Sequence, residues 1–443
     1  MIKDQIDSEV IDMLTLTDAQ LDMASLGSDI IQEYGVVYLA AQMRVGKTLT
    51  AIHIAETIGA KNVLFLSTLK ALSSIEADCR KYRPSASITL RNYEQAHKLS
   101  PNYDLIVLDE AHKLGAYPKL NVTAQIVQRL TKDAKVILCS GTPTPESYSQ
   151  IFHQLLVTNK SPFPHTNFYK WAKDYVDVKQ VRRQGGMLAN DYKCALVDKI
   201  TPVINHLFVT KTQQQAGFTE HEVNESVVTI PINPGIHTLI KSLIKNRYYK
   251  FRDGSEIVAD TSVALQQKLH QLYSGALKVG IWYKVLDTSK AVYIHHHYGH
   301  LKIAIFYKYL GELEALKFVF GQHNIHKTPE EFNAASKGVY LTQVRSGSMG
   351  VNLSTADMLI FYNIDYSSML YWQARARIQS MNRTAPANIL WVFAEGGIEQ
   401  KIYNTVLDKR DYTNHYFRKD FKIGKTYPGK ASTTPKKQGT LRR

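Results

Sequence analysis

Twice along this chain, short runs of consecutive apolar residues alternate with helix-length segments. In the first block the runs are residues 36–40, 63–66, 105–108 and 136–139, separated by stretches such as 48–58 and 120–130. A strand that is apolar at every position must be covered on both faces. A parallel sheet with helices on each side provides that cover, so the block reads as an α/β unit. The pattern returns near residue 300, with runs at 303–306, 339–342, 358–362 and 389–392. Residues 156–290 differ: they are rich in aromatics, glutamine and lysine, and long helices are expected there. Residues 227–231 read as an isolated strand or a linker. The chain therefore divides into an α/β unit at 1–155 with an N-terminal helical segment, a mainly helical insertion and linker at 156–290, a second α/β unit at 291–408, and a tail at 409–443.

Composition excludes several classes. With 44% hydrophobic and 21% charged residues in 443, the chain is a folded protein rather than a disordered one. Three cysteines (Cys79, Cys139, Cys194) exclude a disulfide-stapled scaffold, and they lack zinc-site spacing. Cys139 closes an apolar run and reads as a small buried residue. No run approaches the roughly 18 apolar residues of a membrane span. The acids Asp4, Asp7, Glu9 and Asp12 stand where a signal peptide would be basic. These features predict a protein of the cytoplasm, that of a host cell if the source is viral.

The net charge of +15 suggests a polyanionic partner, although many basic proteins bind nothing anionic, and it is unevenly placed. Residues 1–30 hold seven acids and one lysine, whereas 409–443 hold eleven basic residues and two acids. The end of the tail, beyond residue 424, is expected to be disordered and to add sequence-independent affinity for nucleic acid.

The chemistry sits at strand ends. After residues 36–40 comes Gln42-Met43-Arg44-Val45-Gly46-Lys47-Thr48, then a helix. A strand–loop–helix ending Gly-Lys-Thr cradles phosphates with its amides. The lysine neutralises the outer phosphates and the threonine hydroxyl ligates magnesium. The run 105–108 leads into Asp109-Glu110-Ala111-His112. Asp109 is placed to hold magnesium through water, and Glu110 to orient or deprotonate an attacking water. Ser140-Gly141-Thr142-Pro143 follows the next strand, with hydroxyls able to sense a γ-phosphate.

In this order the motifs resemble those of superfamily 2 helicases, specifically the Swi/Snf-related branch. The second half adds to the likeness. The run from Leu341 through Val344-Arg345-Ser346 to Gly350-Val351-Asn352-Leu353 resembles that branch's motif V. The strand from Lys302 to Tyr307 resembles motif IV, and Trp372-Gln373-Ala374 through Arg377 resembles motif VI. Leu16-Thr17-Asp18-Ala19-Gln20 resembles the adenine-reading glutamine motif. The likeness spans about residues 15–408. It implies two RecA-like lobes with ATP and magnesium in the cleft between them and DNA lying across both.

Carried over residue by residue, the resemblance implies catalytic roles for Lys47, Asp109, Glu110 and Arg377. It implies nucleotide contacts from Gln20, Arg44, Gly46, Lys47, Thr48, Gly350 and Asn352, and metal ligation by Thr48 and Asp109. Backbone contacts to DNA are expected from Ser67, Thr68, Lys70 and Tyr93 in the first lobe. In the second they are expected from Tyr307, Lys308, Arg345 and Ser346. Simple packing is the alternative for Tyr93 and Tyr307. Three departures stand out. Arg44 replaces a loop glycine, Ser380 stands where motif VI has its second arginine, and Thr210-Lys211 replaces an arginine-rich segment at the lobe junction. Arg375 and Arg383 are the nearby candidates to stand in for the missing arginine.

Other clusters are weaker. Residues 179–186 are basic and glycine-containing, fit either to grip DNA or to be a solvated loop. Tyr248, Tyr249 and Phe251 among basic residues suit base stacking or an amphipathic helix, the helix being favoured. His295-His296-His297 point in different directions on a helix, which disfavours a metal site. The expected function is an ATP-driven DNA helicase or translocase, acting as a monomeric motor. Its compactness resembles bacteriophage helicases, so forked or four-way DNA, branch migration, replication, recombination and repair are the expected context. The alternatives are a nucleic-acid binder with weak ATP hydrolysis, or an RNA or duplex translocase that separates no strands.

Overall fold

The computed structural model describes residues 15–182, 187–217, 223–347, 351–378 and 386–411. Two six-stranded sheets, parallel throughout, dominate it. The first contains β1 (Val36–Leu39), β2 (Asn62–Ser67), β3 (Ser87–Asn92), β4 (Leu105–Asp109) and β5 (Lys135–Cys139). Its order is β3-β2-β4-β5-β1, closed at the far edge by a short β8 (Phe208–Val209). All of β1 and nearly all of β2, β4 and β5 are buried. Each fully buried Val, Leu or Ile contributes roughly 1.5–3 kcal/mol before chain entropy is counted. The strand order reverses beside β1, and crevices at such points, at the carboxyl ends of strands, are where open α/β sheets bind ligands.

Helix α1 (Asp18–Tyr34) opens on a capping box between Thr17 and Gln20 and ends at Gly35 in the left-handed conformation. Its apolar face, with Ala19, Met23, Ala24, Ile30 and Ile31 buried, packs on α2 (Lys47–Thr57) and β1.

The central segment is more mixed than its composition suggests. Helices Phe168–Tyr175, Val197–Ile204, Pro234–Asn246 and Ser262–Tyr273 are joined by three antiparallel hairpins. These are β6 (Lys179–Arg182) with β7 (Leu188–Asp191), β10 (Tyr248–Lys250) with β11 (Glu256–Val258), and β12 (Ala276–Val279) with β13 (Trp282–Val285). The helix expected over Tyr248–Phe251 is therefore corrected to a strand. The preceding helix stops at Asn246 because Arg247 turns left-handed (φ 59°), and the aromatic pair then suits a pleated hairpin. The segment also lends a strand to each sheet. β8 pairs with β1, and β9 (Val223–Ile230) pairs with the last strand of the second sheet over eight residues. The stretch 227–231 thus belongs to a sheet edge rather than to an isolated strand.

The second sheet runs β15-β16-β14-β17-β18-β9. Its further strands are β14 (Lys302–Tyr307), β15 (Ile325–His326), β16 (Gly338–Gln343), β17 (Met358–Phe361) and β18 (Ala387–Ala394). The Glu225 carboxylate fastens β9 to this lobe by accepting from Tyr371 OH (2.6 Å), Trp391 Nε1 (2.8 Å), Tyr403 OH (3.0 Å) and Arg375 Nε (3.1 Å). The fold is thus α/β, with two parallel-sheet lobes and an insertion between them. Among the described residues, no helix is long and apolar enough to cross a membrane.

Candidate functional site

The loop between β1 and α2 wraps the first charged group. Lys47 Nζ donates to the carbonyls of Ala41 (2.9 Å) and Gln42 (3.0 Å). Burial pulls its pKa down, while Glu110 and Asp109 act to keep its charge. Gly46 caps α2 at φ 93°, a conformation that L side chains rarely adopt. A Cβ added there would stand 1.9 Å from Gln20 Nε2. Glycine is therefore required twice over, and Gln20, fixed by accepting from Thr17 N (2.9 Å), lies directly against the loop.

The carboxylates stand at the end of β4. Asp109 Oδ2 accepts from Ser67 Oγ (2.6 Å), and Asp109 O accepts from Tyr93 OH (2.6 Å). Burial, then the neighbouring Glu110 charge, raises the Asp109 pKa, opposed by Ser67 and Lys47. Glu110 takes left-handed backbone (φ 51°), a sparsely populated conformation for a non-glycine residue that aims consecutive carboxylates differently. His112 Nδ1 lies 3.0 Å from Ser140 Oγ and 3.3 Å from Glu110 Oε2. Burial pushes its pKa down to about 4, so it is neutral at physiological pH. It joins the carboxylate turn to the Ser-Gly-Thr-Pro turn after β5.

The second lobe reaches this cluster through Arg377 and Asn352. Burial works against the Arg377 charge, whereas the Glu110 and Asp109 carboxylates favour it. Arg44 takes the left-handed backbone of the glycine it replaces (φ 65°), which costs roughly 1–2 kcal/mol. Its Nη2 donates to Asn352 Oδ1 (2.9 Å) and to the Arg377 carbonyl (2.9 Å). The departure from glycine thus places a bridge between lobes. Arg375 is committed elsewhere, to Glu225 and to the Trp372 ring. That removes it as a substitute arginine for the cleft. Gly350, Ser380 and Arg383 lie outside the described residues, as do residues 183–186 and 412–443.

Sequence reasoning missed the strap formed by the junction. Gln42 N donates to the Lys211 carbonyl (2.9 Å), Gln213 N donates to Gln42 Oε1 (2.8 Å), and Gln213 Nε2 donates to the Met43 carbonyl (3.0 Å). Two residues beyond Thr210-Lys211, a glutamine holds the phosphate loop; no local signal marks it.

The residues expected along DNA separate into two groups. Ser67 and Tyr93 are buried and bonded to Asp109, and Tyr307 is buried in the second core. The polar or aromatic groups of these three face inward in this structure, which for Tyr93 and Tyr307 is the packing alternative. Lys70 is exposed and Thr68 half-buried at the end of β2. Lys308 and Arg345 share Asp365 at the carboxyl ends of β14 and β16, at 3.4 and 3.8 Å. The Ser346 side chain lies outside the described residues. The histidine run lies on helix Ser289–Tyr298, where His295 packs on Phe320 and His297 on Tyr293.

The donor set fits a magnesium nucleotide. Thr142 Oγ1 and His112 Nε2 are buried without a hydrogen bond among the described residues, and Gly141, next to Thr142, leaves the approach to Lys47 free of a side chain, where an added Cβ would stand 3.7 Å from Lys47 Nζ. Thr48 and Asp109 offer the hard oxygen ligands that magnesium takes.

No protein-family model matches the chain. It is 22% identical over 84% of its length to a CHD3-type chromatin-remodeling factor of Arabidopsis thaliana, covering 35% of that protein. It is 21% identical over 86% of its length to a SWI/SNF-related matrix-associated actin-dependent regulator of chromatin, subfamily A-like protein 1, of Xenopus laevis, covering 42% of it. A Danio rerio chromodomain-helicase-DNA-binding protein 1-like is 22% identical over 75% of the chain and 34% covered. The chain thus spans about a third to two fifths of the length of these relatives. Among solved structures, the Sulfolobus solfataricus SWI2/SNF2 ATPase core domain aligns over 92% of this chain and 94% of that one, at 15% identity and TM-score 0.40. These sequence relatives are chromatin-remodeling and SWI/SNF-related proteins, each similar to this chain at 21–22% identity.

Proposed function

We propose that the protein is an ATP-dependent DNA translocase that hydrolyses ATP in the cleft between its lobes. The observation that carries this is the bridge by which Arg44, in the loop that holds Lys47, donates to Asn352 and to the Arg377 carbonyl of the other lobe, with Asp109 and Glu110 acting to favour the charges of both Lys47 and Arg377. The roles follow from position. The loop amides and Lys47 bind the phosphates, and Glu110 orients and deprotonates the attacking water. Asp109, positioned by Ser67, and Thr48 would hold magnesium, which would supply charge neutralisation at the phosphates. Arg377 stabilises that charge from across the cleft. Because Arg44, Asn352 and Arg377 tie the two lobes at the same place, phosphate contacts bias opening and closing, and each cycle moves one lobe relative to the other.

We further propose that the substrate is forked or four-way DNA and that the motor acts in branch migration. The exposed Lys70 on one lobe and Lys308 and Arg345 on the other support a backbone track across both. The test is steady-state phosphate release with single-stranded, blunt duplex, forked and four-way DNA and with RNA. Forked or four-way DNA giving the highest turnover is the expected result. Equal stimulation by blunt duplex overturns the branched-DNA reading, and no stimulation by any DNA overturns the translocase.

A further inference from the structure

At the carboxyl ends of β14, β16 and β17, a concave cavity of about 600 Å³ opens on the second lobe. That size falls within the roughly 300–1,000 Å³ typical of small-ligand sites. Two cations stand in its wall. Lys308 Nζ lies 3.4 Å from Asp365 Oδ2 and 4.2 Å from the centre of the Tyr366 ring, and Arg345 Nε lies 3.8 Å from the same carboxylate oxygen. One buried carboxylate against two cations leaves the wall net positive, as a phosphate requires.

Three tyrosines, Tyr283, Tyr309 and Tyr366, also line it. Their supports come from the insertion. Helix Ser262–Tyr273 brings Gln266 to the Tyr366 hydroxyl and offers Gln267 at the rim, and Tyr283 comes from the β12–β13 hairpin. A buried polar chain locks that helix to the lobe. Tyr309 OH lies 3.2 Å from His270 Nδ1, His270 Nε2 lies 2.5 Å from Asn363 Oδ1, and Asn363 Nδ2 donates to Glu312 Oε1 (2.6 Å). Glu312 Oε2 in turn accepts from the backbone N–H of Lys308 (2.7 Å). Such a network, satisfied along its length, holds the walls in one arrangement.

From this geometry we infer that the cavity is a pocket for one unpaired nucleotide, its phosphate on Lys308 and Arg345, its base against the tyrosines and its edge toward Gln267. A duplex backbone alone asks for cations on an open surface. A walled cavity with aromatic faces beside the cations is the arrangement that takes an unstacked base. The nucleotide comes either from an unpaired stretch of DNA or from a free mononucleotide. The inference rests on the proposed DNA activity for the first source only.

The experiment compares wild type, Tyr366→Ala and Tyr366→Phe by equilibrium binding to a duplex with a single-stranded overhang, to the blunt duplex, and to dAMP. Stacking is worth about 1–3 kcal/mol per base, or about 5- to 150-fold in affinity. Tyr366→Ala is expected to weaken overhang binding at least fivefold and leave blunt-duplex binding within twofold, while Tyr366→Phe, which keeps the ring, binds like wild type. The same pattern confined to dAMP supports the pocket with a free nucleotide as its ligand. Equal loss on blunt and overhang DNA, loss in Tyr366→Phe as large as in Tyr366→Ala, or no loss on any ligand overturns it. Blunt-duplex binding and DNA-stimulated turnover of the wild type report separately on the translocase reading.

Discussion

The two lobes share one architecture, a six-stranded parallel sheet, and turn opposite characters to the carboxyl ends of their strands. In the first lobe, polar groups there are buried and bonded to one another: Ser67 to Asp109, Tyr93 to Asp109, His112 to Ser140, Lys47 to the loop carbonyls. In the second lobe the corresponding ends open into a wide cavity with Arg345 exposed to solvent. Burial strengthens electrostatics and suits chemistry on a small, highly charged ligand. Openness with cations and rings suits a polymer that must enter and leave. On the proposed reading the same sheet serves both tasks because function lies in the loops, and Arg377 and Asn352 are where the open lobe bonds to the closed one through Arg44.

That division can be broken most forcefully at Arg377. Arg377→Ala is expected to lower kcat about 10³-fold or more while DNA binding is kept, as removal of a transition-state arginine does. If kcat falls less than tenfold in single-turnover phosphate release, the first lobe is self-sufficient.

Arg44 sharpens the comparison. Arg44→Gly keeps the left-handed backbone and removes the bridge to Asn352 and Arg377. Turnover is expected to fall about tenfold, the worth of a charge-assisted hydrogen bond, with the melting temperature unchanged or slightly raised by relief of strain. Unchanged turnover would show the contact to be incidental.

His112 tests burial in the first lobe alone. Its folded pKa of about 4 lies below the ordinary 6.5, so the unfolded chain binds the proton more readily between these values. Stability is therefore present above pH 6.5 and lost as pH falls toward 4, by up to about 3 kcal/mol from this group. Urea midpoints at pH 7 and pH 5 are expected to differ less in His112→Gln than in wild type.

The smallest effect is expected from the tail. Deleting residues 424–443, which carry six of the basic residues and no acid, is expected to lower DNA affinity and the slope of its salt dependence. Phosphate release at saturating DNA is expected to stay within twofold.

The sequence displayed the core strands plainly, because a strand buried on both faces leaves a continuous apolar run. The Gly-Lys-Thr loop after β1 and the Asp109-Glu110 turn after β4 were legible because each is a short motif of fixed residue types at the end of an apolar run. The sequence did not display β8, two residues long, and it displayed only the second half of β9 as a strand or linker, because solvent-facing residues break the apolar run at a sheet edge. Nor did it separate Ser67, Tyr93 and Tyr307 from surface residues, since a hydroxyl at a strand end has the same spelling whether it faces DNA or a buried carboxylate. The Arg44–Asn352 bridge joins positions 308 apart, and only the replacement of a glycine hinted at it.

The central claim is that DNA-coupled ATP hydrolysis occurs in the interlobe cleft. Its most direct test is the rate of phosphate release as duplex DNA is titrated into wild type and Glu110→Gln at saturating magnesium ATP. The account predicts turnover that rises with DNA and saturates in wild type, and that stays about 10²–10³-fold lower at every DNA concentration in Glu110→Gln. Wild-type turnover indifferent to DNA, or a Glu110→Gln protein as active as wild type, would contradict it.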